Sequence, residues 1–228
     1  MASPDKEAIQ KIFDGIAVRY DRINTLLSFR LDGVWRRKAC RLILEGGERS
    51  ILDLGVGTGK FLKEFLKKKS WEKAVGVDFS RQMLMRAEKG VLAGCDLVQA
   101  DIHDLPFENG SFDLVVSSFT LRSVKDREHF FREVRRILSS HGKAAFLCLT
   151  RPSSIWGWIL YAPYLRFYLP FIGGFFSKNR EAYRFLSESI QTFPVPQEIG
   201  SQLETLGFRH VSIFPFTFGI STLMLARK

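Results

Sequence analysis

Cysteine is scarce in this chain. Its three thiols, Cys40, Cys95 and Cys148, are far apart and odd in number. No C-x-x-C pair and no Cys/His spacing points to zinc. A reducing compartment is expected, with Cys95 and Cys148 in the core beside strand-like runs. The segment Met1-Ala2-Ser3-Pro4-Asp5-Lys6-Glu7 has no apolar stretch, so no signal peptide is expected. Long uninterrupted apolar runs are missing too. The most aromatic stretch, 151–190, is broken by Pro163, Pro170, Gly173-Gly174 and Arg166, and is not expected to span a bilayer. Negative charge is in deficit: 24 acidic residues face 34 basic ones, a net charge of +10. The excess is spread over Arg36, Arg37 and Lys38 and over Lys63, Lys67, Lys68 and Lys69, not gathered in a tail. It suits an anionic membrane surface or nucleic acid, or is simply a solvated basic face.

The apolar fraction of 46% and the charged fraction of 25% are those of a soluble globular protein. A length of 228 residues fits one domain with an insertion and buries a sizeable core. Twenty-one phenylalanines leave room for large apolar faces. Strand signals fall at 50–54, 74–78, 96–100, 112–117, 143–149, 209–215 and 219–226. Helix signals fall at 59–69, 80–90, 126–138 and 196–206, with Ser80 and Asp126 as N-caps. Their alternation predicts an α/β fold, a seven-stranded, mostly parallel sheet with right-handed crossovers and an antiparallel last strand. Residues 1–47 read as a helical lead-in. Its second helix, 32–44, has a predicted buried stripe of Trp35, Ala39, Leu42 and Ile43. His141-Gly142 punctuates the turn into the fifth strand, and His103 reads as a loop residue. The stretch 151–190 is an aromatic insertion with five basic and two acidic residues.

The most informative stretch is Ser50-Ile51-Leu52-Asp53-Leu54-Gly55-Val56-Gly57-Thr58-Gly59: a buried strand, a glycine turn, then a helix. Glycines let the backbone approach a ligand, and the following helix offers free N–H groups. Such a turn also occurs in dinucleotide sites. Asp53 at the strand end would repel a pyrophosphate but not a cation. Asp78 closes the next strand, where an acid can hold ribose hydroxyls. The pair resembles motifs I and II of the S-adenosylmethionine (SAM) methyltransferases. Gly55, Gly57 and Thr58 would then face the methionine tail and ribose. Asp101 would take the adenine amino group, Ile102 would cover the ring, and Ser118 would lie beneath the methionine part. Asp53 either touches SAM or orients the glycine loop.

Longer motifs are more specific. Phe13-Asp14-Gly15-Ile16-Ala17-Val18-Arg19-Tyr20-Asp21-Arg22-Ile23-Asn24, Trp35-Arg36-Arg37, Asp104-Leu105-Pro106-Phe107, Phe119-Thr120-Leu121-Arg122-Ser123-Val124, and Tyr183-Arg184-Phe185-Leu186-Ser187-Glu188-Ser189-Ile190 with Phe193-Pro194 resemble the signatures of the ubiquinone/menaquinone biosynthesis C-methyltransferases. Thr120 and Ser123 replace that family's Gly and Asn, and Cys148 replaces an acid, so the chain resembles a divergent member.

The resemblance implies a Rossmann-like class I methyltransferase fold with a helical cap insertion. It implies SAM as cofactor, with no metal, and a hydrophobic quinol substrate. The reaction it implies is methylation of the ring of a reduced isoprenoid quinone precursor, demethylmenaquinol-like or a ubiquinone-precursor benzoquinol. It further implies peripheral association with an anionic membrane at its cytoplasmic inner face, and it leaves a homodimer open. Arg122 is the implied catalytic residue; its basicity makes it a phenolate stabiliser, not a base. Tyr20 and Asp21 would orient a water or close over SAM, and Tyr183 and Glu188 would shape the substrate pocket. Two other readings stay open: a methyltransferase of another apolar small molecule such as a lipid or polyketide, and a basic nucleic-acid-binding protein on a SAM-type fold. No Asn/Asp-Pro-Pro-Tyr-type motif and no appended RNA-binding module favour the latter, so no nucleic acid is expected.

Overall fold

The strand signals form β1 (Ser50–Leu54), β2 (Lys73–Asp78), β3 (Asp96–Gln99), β4 (Phe112–Ser118), β5 (Leu138–Leu149), β6 (Arg209–Phe216) and β7 (Ser221–Arg227). They make one sheet in the order β3-β2-β1-β4-β5-β7-β6. This computed structural model describes residues 25, 28–90, 92, 95–152, 159, 161–163, 166 and 189–228. Most of the expected lead-in over 5–30 and of the aromatic insertion lies outside them.

Strands β1 to β5 pair in parallel, and β7 runs antiparallel to both β5 and β6. The expected closing pair therefore sits at one edge, with β7 inside and β6 outermost. Between them Thr217–Gly219 makes a tight 3₁₀ turn.

Among the described residues, the sheet is covered by α1 (Leu31–Ile43), α2 (Lys60–Leu66), α3 (Arg81–Lys89), α4 (Arg127–Ile137) and α5 (Pro196–Thr205). Each predicted cap is made. The Ser80 hydroxyl accepts from the Met83 N–H at 3.2 Å, and the Asp126 carboxylate accepts from the His129 N–H at 2.9 Å. Leu52 and Leu54 point to one face, under Phe130, Phe131, Val134, Ile199 and Leu203. Ile51 points to the other, under Trp35, Ala39, Phe61, Phe65 and Leu84. Coverage on both faces is why these strands read as continuous apolar runs.

Three expectations need correction. Cys40, not Leu42, belongs to the buried stripe of α1: Leu42 is 39% exposed, whereas Cys40 is fully buried. At about 100° per residue the buried positions 35, 39, 40 and 43 span an arc of roughly 140°, and Leu42 falls just past its edge, about 20° beyond Trp35. Cys95 is only half-buried at the start of the edge strand β3. The fifth strand also starts early, at Leu138, and the register shift between Phe112 and Leu114 places His141 and Gly142 inside the strand, not in a turn before it.

At the opposite end of the sheet from the glycine turn, Lys143 is 3% exposed and lies 2.6 Å from Glu48. Burial alone would raise the Glu48 carboxyl; Lys143 and the Glu45 backbone N–H outweigh it and hold it down at about 2.

Candidate active site

The strand order reverses between β1 and β4, the place where an open parallel sheet leaves a crevice at its carboxyl ends. The register pairs Leu54 with Val77 and Asp53 with Val116, so the ends of β1, β2 and β4 stop at nearly one level. Gly55, Gly57, Thr58, Asp78 and Ser118 gather there.

The glycine turn is held from three sides. Val56 donates its N–H to the Val77 carbonyl at 2.9 Å, and Asp78 accepts the Gly57 N–H at 2.8 Å through one oxygen and the Ser80 N–H at 2.9 Å through the other. Gly57 has φ +54°, and a Cβ built on it would meet no described residue within 4 Å. Gly55 has φ +69°, and its missing Cβ would stand 2.3 Å from Thr120 Oγ1. The Thr120 hydroxyl reaches the carbonyls of Gly55 and Ser118 at 3.4 and 3.3 Å.

Asp53 lies beneath this turn. It is 1% exposed, and its Oδ2 accepts the Leu62 N–H of α2 at 3.2 Å, while Oδ1 has no partner among the described residues. Burial pushes the carboxyl up to about 8. The position favours the second of the two roles expected for it, that of orienting the turn.

Asp101 and Ile102 follow β3. Asp101 Oδ1 receives the His103 backbone N–H at 3.1 Å and lies 2.9 Å from His103 Nδ1. His103 therefore has a partner that its sequence context did not reveal. Ile102 packs against the core edge. The next residues, Asp104-Leu105-Pro106-Phe107, are clamped from α4. Glu133 accepts the Leu105 N–H at 2.8 Å, and Arg136 donates to the carbonyls of Leu105 and Phe107 at 3.1 and 2.7 Å while pairing with Glu133 at 2.7 Å. The Arg136 hydrogen bonds hold Glu133 below its ordinary value despite some burial. An i, i+3 charge pair on a helix reads as surface in sequence; here it sets the loop beyond β3.

Arg122 occupies the 3₁₀ turn Leu121–Ser123, anchored by buried Leu121. Its Nη1 donates to the Ser189 hydroxyl, joining two motifs far apart in sequence. Its charge also reaches two buried groups, Cys148 and Tyr161. Burial pushes the Cys148 thiol up to about 12 and raises the Tyr161 hydroxyl as well, with Arg122 opposing both. Cys148, which stands in place of the acid of the resembled signature, is thus a neutral neighbour. Tyr20, Asp21, Tyr183 and Glu188 lie outside the described residues.

A glycine turn, an acid on each of the next two strands and a crevice at the switch point define a class I SAM-dependent methyltransferase. The residues fit that cofactor: no described residue against the Cβ position of Gly57, acceptors at Asp78 and Asp101, and no phosphate-binding lysine motif. A SAM-dependent methyltransferase of Thermotoga maritima has the same fold at a TM-score of 0.70, with 22% identity over 96% of this chain and 99% of its own. One from Aquifex aeolicus matches at 0.60, with 17% identity over 91% and 97%. The chain belongs to the ubiE/COQ5 methyltransferase family, which it matches over residues 1–228. It is 35% identical to a demethylmenaquinone methyltransferase of Thermotoga maritima over 99% of this chain and 98% of that one. It is 37% identical to a ubiquinone/menaquinone biosynthesis C-methyltransferase of Geotalea uraniireducens over 97% of each, and 36% identical to a demethylmenaquinone methyltransferase of Thermus thermophilus over 93% and 97%.

Proposed function

We propose that this protein methylates a ring carbon of a demethylmenaquinol, a reduced isoprenoid quinone precursor, at the cytoplasmic face of a membrane. The observation that carries the reading is likeness over nearly the full length to relatives named demethylmenaquinone methyltransferase.

The bound cofactor supplies a methyl group already activated on a sulfonium. The protein must hold the ring carbon in line with it and favour the ring's ionised form, which carries negative charge onto that carbon. Arg122 fits the second task. Ser189 fixes its guanidinium, and a cation at the crevice stabilises the phenolate as charge develops. The Tyr161 hydroxyl, raised by burial, stays protonated. Tyr20 and Asp21 are assigned to closing over the cofactor, and Tyr183 and Glu188 to shaping the quinol pocket.

Among the described residues no helix is long and apolar enough to cross a membrane. Peripheral docking would suit Phe218, 83% exposed on the turn after β6, and the neighbouring basic face of α1, where Lys38 Nζ lies 4.7 Å over the Phe216 ring. Phe218→Ser is expected to weaken binding to anionic vesicles without changing SAM binding; equal vesicle binding by the two proteins rejects this docking edge.

The substrate is tested by mass spectrometry of the quinone pool in cells lacking the protein. Accumulated demethylmenaquinone, cleared on restoring the gene, is expected. An unchanged pool overturns the assignment.

A further inference from the structure

The acids placed around the crevice suit the ammonium, hydroxyl and amino groups of SAM. None suits its carboxylate. A cation on α1 does. Arg36 reaches back from the helix that precedes the glycine turn, and its guanidinium carbon lies 4.8 Å from the centroid of Phe119, the residue after Ser118 at the end of β4. The side chain is 11% exposed. Its Nη1 donates to Asp32 at 2.6 Å, and its buried Nε has no acceptor among the described residues.

That pattern is incomplete in a specific way. A guanidinium has a flat face and N–H edges. The face is covered by Phe119 and one edge by Asp32. The edge that includes Nε is left over, and a buried donor without an acceptor calls for a partner. A carboxylate matches such an edge with two parallel hydrogen bonds.

The surroundings hold Arg36 at the crevice. Trp35 donates from Nε1 to Thr217 Oγ1 at 2.8 Å and meets Phe119 edge-on at 6.4 Å, so α1 cannot roll away. Asp32 is itself fixed by the Ser28 hydroxyl at 2.9 Å. Burial pushes the Asp32 carboxyl up, but Arg36 and Ser28 outweigh it, with Lys60 assisting, and leave it below its ordinary value. Arg36 and Lys60 thus both act on this carboxylate beside the turn. Burial dominates at Asp53, yet Arg36 pulls that carboxyl back down, which places the guanidinium within electrostatic reach of the turn's underside.

We infer that Arg36 binds the carboxylate at the methionine end of SAM through its Nε edge. The inference concerns the cofactor and does not depend on which quinol is methylated.

Isothermal titration of the full-length protein with SAM and with decarboxylated SAM tests it. The wild type is expected to bind SAM roughly 10- to 100-fold more tightly than the decarboxylated compound. Arg36→Met should lose that preference, binding SAM about as weakly as decarboxylated SAM, with the latter unchanged. Arg36→Lys should recover part of it. Loss of affinity for both compounds by one factor, or no loss for SAM, overturns the assignment. If Arg36→Met does not fold, the wild type decides alone: equal affinity for the two compounds rejects a carboxylate anchor, and a preference for SAM retained at high salt supports one.

Discussion

Arg122 and Ser189 are joined by a hydrogen bond across 67 positions of sequence, from the turn after β4 to the described edge of the aromatic insertion. The contact ties the group assigned to the phenolate to the segment assigned to the quinol. Arg122→Ala is expected to lower kcat about 100- to 1,000-fold while leaving SAM affinity within about twofold. Ser189→Ala, which loosens the guanidinium without removing it, should cost roughly tenfold in kcat. Steady-state kinetics alongside SAM titration separates the two quantities.

Gly55 and Thr120 form a steric pair. A Cβ at residue 55 would stand 2.3 Å from Thr120 Oγ1 and would also sit at φ +69°. Gly55→Ala is expected to abolish SAM binding or folding. Thr120→Gly in the same chain removes the clash but not the backbone strain, which costs about 1–2 kcal/mol. The double variant should therefore be more stable than Gly55→Ala and less stable than Thr120→Gly, as read by urea denaturation.

Glu133 satisfies the Leu105 N–H from α4. Glu133→Ala leaves that donor buried and unpaired, at a cost of about 1–3 kcal/mol. The loop it holds follows Asp101, so adenosine and SAM should both bind more weakly. A stability loss without any change in adenosine affinity would show that the clamp does not set the adenine edge.

Two carboxyls should bend the pH–stability curve in opposite directions. Glu48 is held at about 2, below its unfolded value, so its contribution is present above the unfolded pKa and is lost as pH falls toward 2. Asp53 is raised to about 8, so its contribution is present below its unfolded pKa and is lost as pH rises toward 8. Asp53→Asn is expected to flatten the decline between pH 5 and 8, and Glu48→Gln to flatten the acid limb. Thermal denaturation of the cofactor-free protein across pH reads both.

The chain order of strands, helices and caps was legible because it rests on local periodicity and hydrogen-bonding chemistry. Apolar runs of strand length, Ser80 and Asp126 before helices, and glycines in a tight turn carry their meaning within a few residues. Leu42 was misread because it lies only about 20° of rotation from Trp35, just past the edge of the stripe. His103 was passed over because a histidine two places from an aspartate is common in loops, and only the turn at Asp101 brings the ring back to the carboxylate.

The sequence by itself determined the cofactor class and the family, through a glycine turn, acids at successive strand ends and signatures spread along the chain. The tertiary structure decided which side chains meet. Asp53 lies under the turn because β1 buries its end below α2. Arg136 clamps a loop 29 residues away, and Arg36 reaches Phe119 from a helix that precedes the whole sheet. Such pairings depend on the packing of helices on both faces, a long-range property that no local pattern encodes.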